Sequence, residues 1–262
     1  MSADLPHLVP EARYRRIQQH VGRLAAEQLT CGFHVHVAIT SREEGVALLD
    51  RIRVWLPVLS TNCPFRYGVD TGFASYRYQA WTRWPTAGAG EIFGTVAEYD
   101  RQVRLLLESG VPVDDGMDYF DARLSARFPT AEVRVADVFL HPVHSGVIVA
   151  LVRALVETAA RAWRAGLPPA PVGATQLRAW SWRAARSGVE AQLVSPTTGT
   201  PAAAGEVVAE LLELLHPVLP EASEDEQVQA VVAAILRDGQ GPAPSARPPR
   251  PAATSTMSWL PP

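Results

Sequence analysis

CGFHVHVAI, residues 31–39, sets two histidines two positions apart inside an apolar run. Successive side chains leave a β-strand on opposite sides. His34 and His36 therefore share one face, and Phe33, Val35 and Val37 share the other. A second stretch, AEVRVADV at 131–138, repeats the pattern, with Glu132 and Arg134 on one side and Val133 and Val135 on the other. If the two strands are neighbours, their apolar underside packs onto helices, and two imidazoles, a carboxylate and a guanidinium make a polar floor. The carboxylate and an imidazole can hold a divalent cation, and the guanidinium can hold phosphate. The competing reading is an exposed sheet face whose polar residues are incidental.

Around these strands the chain reads mostly as helix. Residues 11–29 carry Tyr14, Ile17, Val21 and Leu24 at helical spacing. Ser41 with Glu44, Thr95 with Glu98 and Ser223 with Glu226 have the spacing of capping boxes. They start helices that run to about Leu59, to Gly110 and to the end of the folded part. Further helices are expected at about 144–165, over ATQLRAWSWRAARSG and over GEVVAELLELLHPVL, while ASYRYQAW fits strand or helix. DYFDARLSARF and AEVRVADVFL read as two strands around a turn at Pro129. Strands mixed with long helices, without a regular βαβ rhythm, indicate an α+β fold with an antiparallel sheet backed by helices. The folded unit spans 11–238, and the proline-dense 239–262 reads as a disordered tail.

Composition narrows the chemistry. All 24 basic residues are arginine, which removes a P-loop lysine, a Schiff-base lysine and a lysine general base. Phosphate, if handled, falls to arginine, whose planar donors suit it. A net charge of −3 gives no electrostatic footprint for nucleic acid. No apolar run is read as long enough to cross a bilayer, and the N-terminus lacks the order of a secretion signal, so a cytoplasmic protein is expected. Cys31 and Cys63 make no disulfide framework and read as small buried residues.

Three other segments carry reactive side chains. TGFASYRYQAWTRWPTAG (71–88) sets Arg77 and Arg83 among aromatics, either to bind a planar or anionic ligand or as a structural cluster. Asp114, Asp115, Asp118 and Asp121 lie close together but do not fit an EF-hand loop, and read as a solvated acidic loop. His141 and His144 sit beside Pro142 in what reads as a surface segment.

Taken in order, CGFHVHV, STNCPF, TGFASYRYQAWTRWPTAG, DDGMDYFDARLSARFPTAEVRVADV and ALVRALVETAARAW resemble the carboxylate–amine ligases of the glutamate–cysteine ligase type 2 family, from about Tyr14 to Leu236. The resemblance implies a glutamine-synthetase-like fold and ATP- and Mg2+-dependent joining of a carboxylate to an amine through an acyl phosphate, with glutamate and cysteine as the amino-acid substrates. It implies that Glu132 and His34 contact magnesium and that Arg134 stabilises the transferring phosphoryl group. His36 would line the substrate site, and Arg77 is a weaker candidate for substrate or phosphate. Self-association into a homo-oligomer is also expected.

The chain departs from the family pattern in three places. It begins after the family's opening strands, which carry a Gly-Val-Glu-Glu-Glu motif, so an N-terminally truncated fold is expected. The helix before STNCPF is about one turn short, and the proline-rich tail replaces an arginine-containing segment. The alternative to ligase activity is therefore a catalytically inactive homologue serving as a binding or assembly partner. A metal hydrolase, suggested by His-x-His on a strand, is set aside for want of regular βα alternation.

Overall fold

The computed structural model describes residues 10–27, 32–60, 71–139 and 142–238. Cys31, Cys63, most of the STNCPF segment, His141 and the 239–262 tail lie outside the described residues.

The sheet at the centre has three antiparallel strands in the order β1-β3-β2, with β1 at Gly32–Ala38, β2 at Ala122–Leu124 and β3 at Thr130–Asp137. The two strands singled out by alternation are thus hydrogen-bonded neighbours. Val35 pairs with Val133, His36 with Glu132, and Arg123 of β2 also faces Glu132. The β1–β3 register shifts between Phe33, which faces Ala136, and Val35, which faces Val133. Two steps along β1 match three along β3, so the extra residue forms a β-bulge at Arg134–Val135. Beyond it the alternation of β3 is reset, and Asp137 comes opposite Gly32 on the same side as Glu132.

The apolar side of this sheet packs on helices, as alternation required. Helices α1 (Ala12–Val21) and α2 (Arg23–Ala26) replace the single helix expected over 11–29. The break is at Gly22, whose φ of 60° is open to glycine and strained for most other residues. Helix α3 (Arg42–Ile52) starts where Ser41 Oγ accepts the Glu44 N–H at 3.1 Å. The Glu44 carboxylate accepts from the Thr40 N–H and hydroxyl instead of closing the box on Ser41. A turn at 53–55 separates α3 from α4 (Leu56–Ser60). ASYRYQAW resolves as helix α5 (Tyr76–Trp81), capped by Ser75. Helix α6 (Val96–Glu108) is capped by Thr95.

Helix α7 (Pro142–Arg164) is the core helix. Leu151, Val152, Ala154 and Leu155 are almost wholly buried, and each large aliphatic contributes roughly 1.5–3 kcal/mol by leaving water. Its length and mean hydropathy of 1.5 would suffice for a bilayer span, contrary to the sequence expectation. Over half of that apolar window is buried against the rest of the protein.

Helices α8 (Ala174–Ser187), α9 (Ala204–Leu215) and α10 (Asp225–Asp238) complete the layer. A small hairpin, β4 (Gln192–Val194) with β5 (Pro201–Ala203), was not anticipated. The third capping box does not form. Ser223 adopts a left-handed conformation (φ 57°) that closes a 3-10 turn, and the next helical bond runs to the carbonyl of Glu224.

Candidate functional site

Glu132 is the centre of the polar face. Its side chain is 5% exposed, and its oxygens are approached from both neighbouring strands. From β1, His34 Nδ1 lies 2.9 Å from Oε1 and His36 Nε2 lies 3.9 Å from the same atom. From β2, Arg123 Nε donates to Oε2 at 2.8 Å. An ionised carboxylate only accepts, so the His34 proton at this contact sits on Nδ1. Burial pushes the Glu132 carboxyl up, but the bonds from His34 and Arg123 and the charges of Arg123 and Arg134 outweigh it and hold the group at about 2. Glu132 is therefore charged across the physiological range.

Arg134 stands beside this carboxylate, its Nε 3.8 Å from Oε1, with the guanidinium over the Tyr119 ring at 5.7 Å. It is buried, and among the described residues its Nε has no hydrogen-bond partner. Burial, then the nearby charge of Arg123, lowers its proton affinity. Arg134 and Arg123 both donate to the backbone carbonyl of Asp118, at 3.2 and 2.7 Å. Two cations, one anion and two imidazoles that are about a third exposed thus share one face.

Arg123 was not singled out from the sequence. Its signal was there: in a hairpin turning over Ser125–Pro129, Arg123 and Glu132 fall at equivalent distances from the turn. Arg77 lies elsewhere than its expected role requires. It is 2% exposed, with Nε 3.0 Å from Asp137 Oδ1 in an ion pair that lacks hydrogen-bond alignment. It also donates to the carbonyls of Arg134 and Val135 and packs over Trp81. Arg77 anchors the bulge from the Glu132 side of the sheet. A Cβ at Gly32 would stand 2.7 Å from Arg77 and 3.2 Å from His34, so only glycine lets both side chains lie there.

Trp81 and Trp84 of 71–88 pack on Tyr119 as a structural cluster, while Phe73 packs on Tyr76 and Trp182. The acidic loop departs from its expectation. Asp114 is paired with Arg13, while Asp118 and Asp121 are buried. Burial raises Asp121 to about 6, against the opposing pull of the Tyr78 hydroxyl, which donates to it at 2.8 Å. His144 lies at the start of α7, its ring edge-on to Phe139.

Magnesium favours near-octahedral oxygen coordination. Here a single carboxylate already accepts from His34 and Arg123. Among the described residues no three His, Cys, Asp or Glu side chains converge as a cation site. These residues alone do not fit a magnesium ion, and no chemical step is assigned to one.

Comparison with known proteins gives a consistent answer. The family described as glutamate-cysteine ligase family 2 (GCS2) matches residues 2–248. A protein of Paenarthrobacter aurescens (strain TC1) named "Putative glutamate--cysteine ligase 2-1" is 50% identical over 241 residues, 90% of this chain and 63% of that protein. A Streptomyces avermitilis protein of the same name is 48% identical over 239 residues, 90% of this chain and 66% of its own length. A Frankia alni protein named "Putative glutamate--cysteine ligase 2-2" is 49% identical, covering 90% and 62%. The chain spans less than two thirds of the length of each of these relatives. By this match over nearly its whole length, the chain belongs to the glutamate-cysteine ligase family 2.

Proposed function

We propose that the Glu132 face is part of the active site of an ATP-dependent carboxylate–amine ligase of the glutamate–cysteine ligase type. The observation that carries the reading is the row His36–Glu132–Arg123, in register across three strands, with Arg134 alongside. In the first step a γ-carboxylate oxygen attacks the terminal phosphorus of ATP, and ADP leaves. In the second, the amine nitrogen attacks the acyl phosphate carbon, the C–O bond to phosphate breaks, and an amide forms with loss of a proton. Positioning and charge neutralisation supply most of such a rate enhancement. Arg134, already fixed by Asp118 and Tyr119, neutralises charge on the transferring phosphoryl group. Glu132 holds Arg123 and His34 in place, and His36 lines the substrate site.

The test is ATP consumption by the purified chain across a panel of amino acids, with γ-glutamylcysteine measured directly. Turnover is expected with glutamate and cysteine, and Glu132→Gln is expected to lower it at least 100-fold. Undiminished turnover in that variant would overturn the assignment. A second reading, assembly with another polypeptide, has one observation in its favour: β1 has a strand partner on only one side among the described residues. Absence of turnover in the isolated chain, restored by an intact family member, would favour it.

A further inference from the structure

The loop that cradles the two arginines of the Glu132 face is itself held from outside. Arg134 and Arg123 both donate to the Asp118 carbonyl, and Arg134 lies over the Tyr119 ring. Earlier in the same loop stands Asp114, whose carboxylate accepts two bonds from Arg13 of α1, each 2.8 Å. We propose that α1 positions Arg134 through this loop, with Arg13 and Ile17 as positioning residues. The inference rests on the ligase reading only for the part that Arg134 plays in the reaction.

Geometry is the first argument. Between Asp114 and Asp118 the chain makes a single 3-10 turn, Asp115–Met117, so a shift at one end is passed directly to the other. A Cβ at Gly116 would stand 2.7 Å from the Arg13 guanidinium, which therefore runs close along the turn. Ile17 is buried against Met117 and Trp84, and Tyr119 packs on the same cluster. On the other flank the Thr86 hydroxyl donates to the Met117 carbonyl at 2.5 Å and accepts from the Tyr119 N–H at 3.3 Å. The turn is thus gripped between α1 and Thr86, and its far end presents the carbonyl and the ring that hold Arg134. Closely packed elements transmit a small displacement instead of absorbing it.

Charge is the second argument. Burial raises the Tyr119 hydroxyl above its ordinary value, and the positive charges of Arg13 and then Arg134 pull against that rise. Tyr119 therefore stands between a cation of α1 and a cation of the site. Arg134 needs such support, because it is buried and its Nε lies 3.8 Å from Glu132, outside hydrogen-bonding distance. A half-exposed ion pair contributes little to stability. Two parallel bonds from a forked guanidinium nevertheless fix direction as well as distance, so the Arg13–Asp114 pair suits orientation more than stability. The Arg13 side chain is 39% exposed, and its truncation should leave the fold intact.

The experiment follows phenylglyoxal modification of individual arginines in the full chain by peptide mass spectrometry, beside steady-state kinetics. Arg104 of α6, 62% exposed, serves as the open reference and Arg77 as the sealed one. In Arg13→Ala the Arg134 rate is expected to rise about ten-fold, with Arg104 and Arg77 unchanged. In the same variant kcat should fall about ten-fold, with KM for the amino acids within about two-fold of the parent value. Arg13→Lys keeps the charge without the fork and should restore little. The exchange of Arg13→Asp with Asp114→Arg rebuilds the pair and should restore most of both readouts. Ile17→Ala should raise the Arg134 rate as well. An Arg134 rate unmoved in Arg13→Ala, a parallel rise at Arg77, or unchanged kcat in an active enzyme would overturn the proposal. If the parent protein has no turnover, a ten-fold rise at Arg134 counts against the ligase reading alone. Turnover with Arg134 unmoved counts against this one alone.

Discussion

Glu132 and Asp137 are carboxylates on one strand and, through the bulge, on one face. Both are nearly inaccessible, and both have an arginine at about 3 Å. Their surroundings differ. Asp137 and Arg77 are sealed together, at 0% and 2% exposure. Glu132 is held by His34 and Arg123, and the imidazoles on its β1 side are 36–37% exposed. The contrast separates scaffold from site: a carboxylate whose partners reach solvent can pass its influence to a ligand, and one whose partners are sealed can only hold the chain.

The severest way to break the sealed pair is Arg77→Ala. It removes the cation beside buried Asp137, which keeps the Ser75 hydroxyl as a donor, and removes the donors to the carbonyls of the bulge. A loss of about 3–5 kcal/mol is expected, enough to unfold many domains, measured by urea denaturation. Arg77→Lys should rescue little, because a single ammonium cannot replace the forked donors.

The open pair should respond less in stability and differently in pH. Glu132→Gln is expected to lose about 1–3 kcal/mol at pH 7, from the uncompensated charges of Arg123 and Arg134. Glu132 is held at about 2 in the fold against an ordinary 4.5. Its contribution is therefore present above about pH 4.5 and lost as pH falls toward 2. The variant should show a shallower acid limb in that window, read by circular dichroism melts. An unchanged acid limb would break the claim that Glu132 is held charged by its partners.

Asp121 sharpens the comparison from the other side, because its proton affinity is raised. The fold gains stability as Asp121 is protonated, so its cost appears as pH rises from its ordinary 3.8 through about 6. Asp121→Asn keeps an acceptor for the Tyr78 hydroxyl and should flatten stability over that interval, gaining about 1 kcal/mol at pH 7. A matching decline with rising pH in both proteins would refute the assignment.

The alternation of 31–39 and 131–138 made the central strand pair legible, and the Ser41 and Thr95 caps marked two helix starts, because these signals are local. What stayed hidden depends on distant neighbours. A Ser-x-x-Glu spacing at 223–226 matched a cap, yet the chain enters α10 from a 3-10 turn that puts Ser223 in the wrong conformation. Arg77 looks like a ligand arginine among aromatics, and only the bulge above it shows what it holds. Asp118 and Asp121 look solvated by composition, but Arg123, Arg134 and Tyr78 close over that loop. Strands β4 and β5 are three residues each, too short for a periodic pattern to register.

The bulge at Arg134–Val135 has one more consequence. An odd interval on a regular strand sends its two ends to opposite sides, and Glu132 and Asp137 are separated by such an interval. The additional residue works as a phase change, letting a single short strand present both a reactive anion and the anchor that steadies it. Straightening the strand with every residue kept would turn Asp137 toward the helices, so the spacing in EVRVAD is itself information, as much as the side chains it carries.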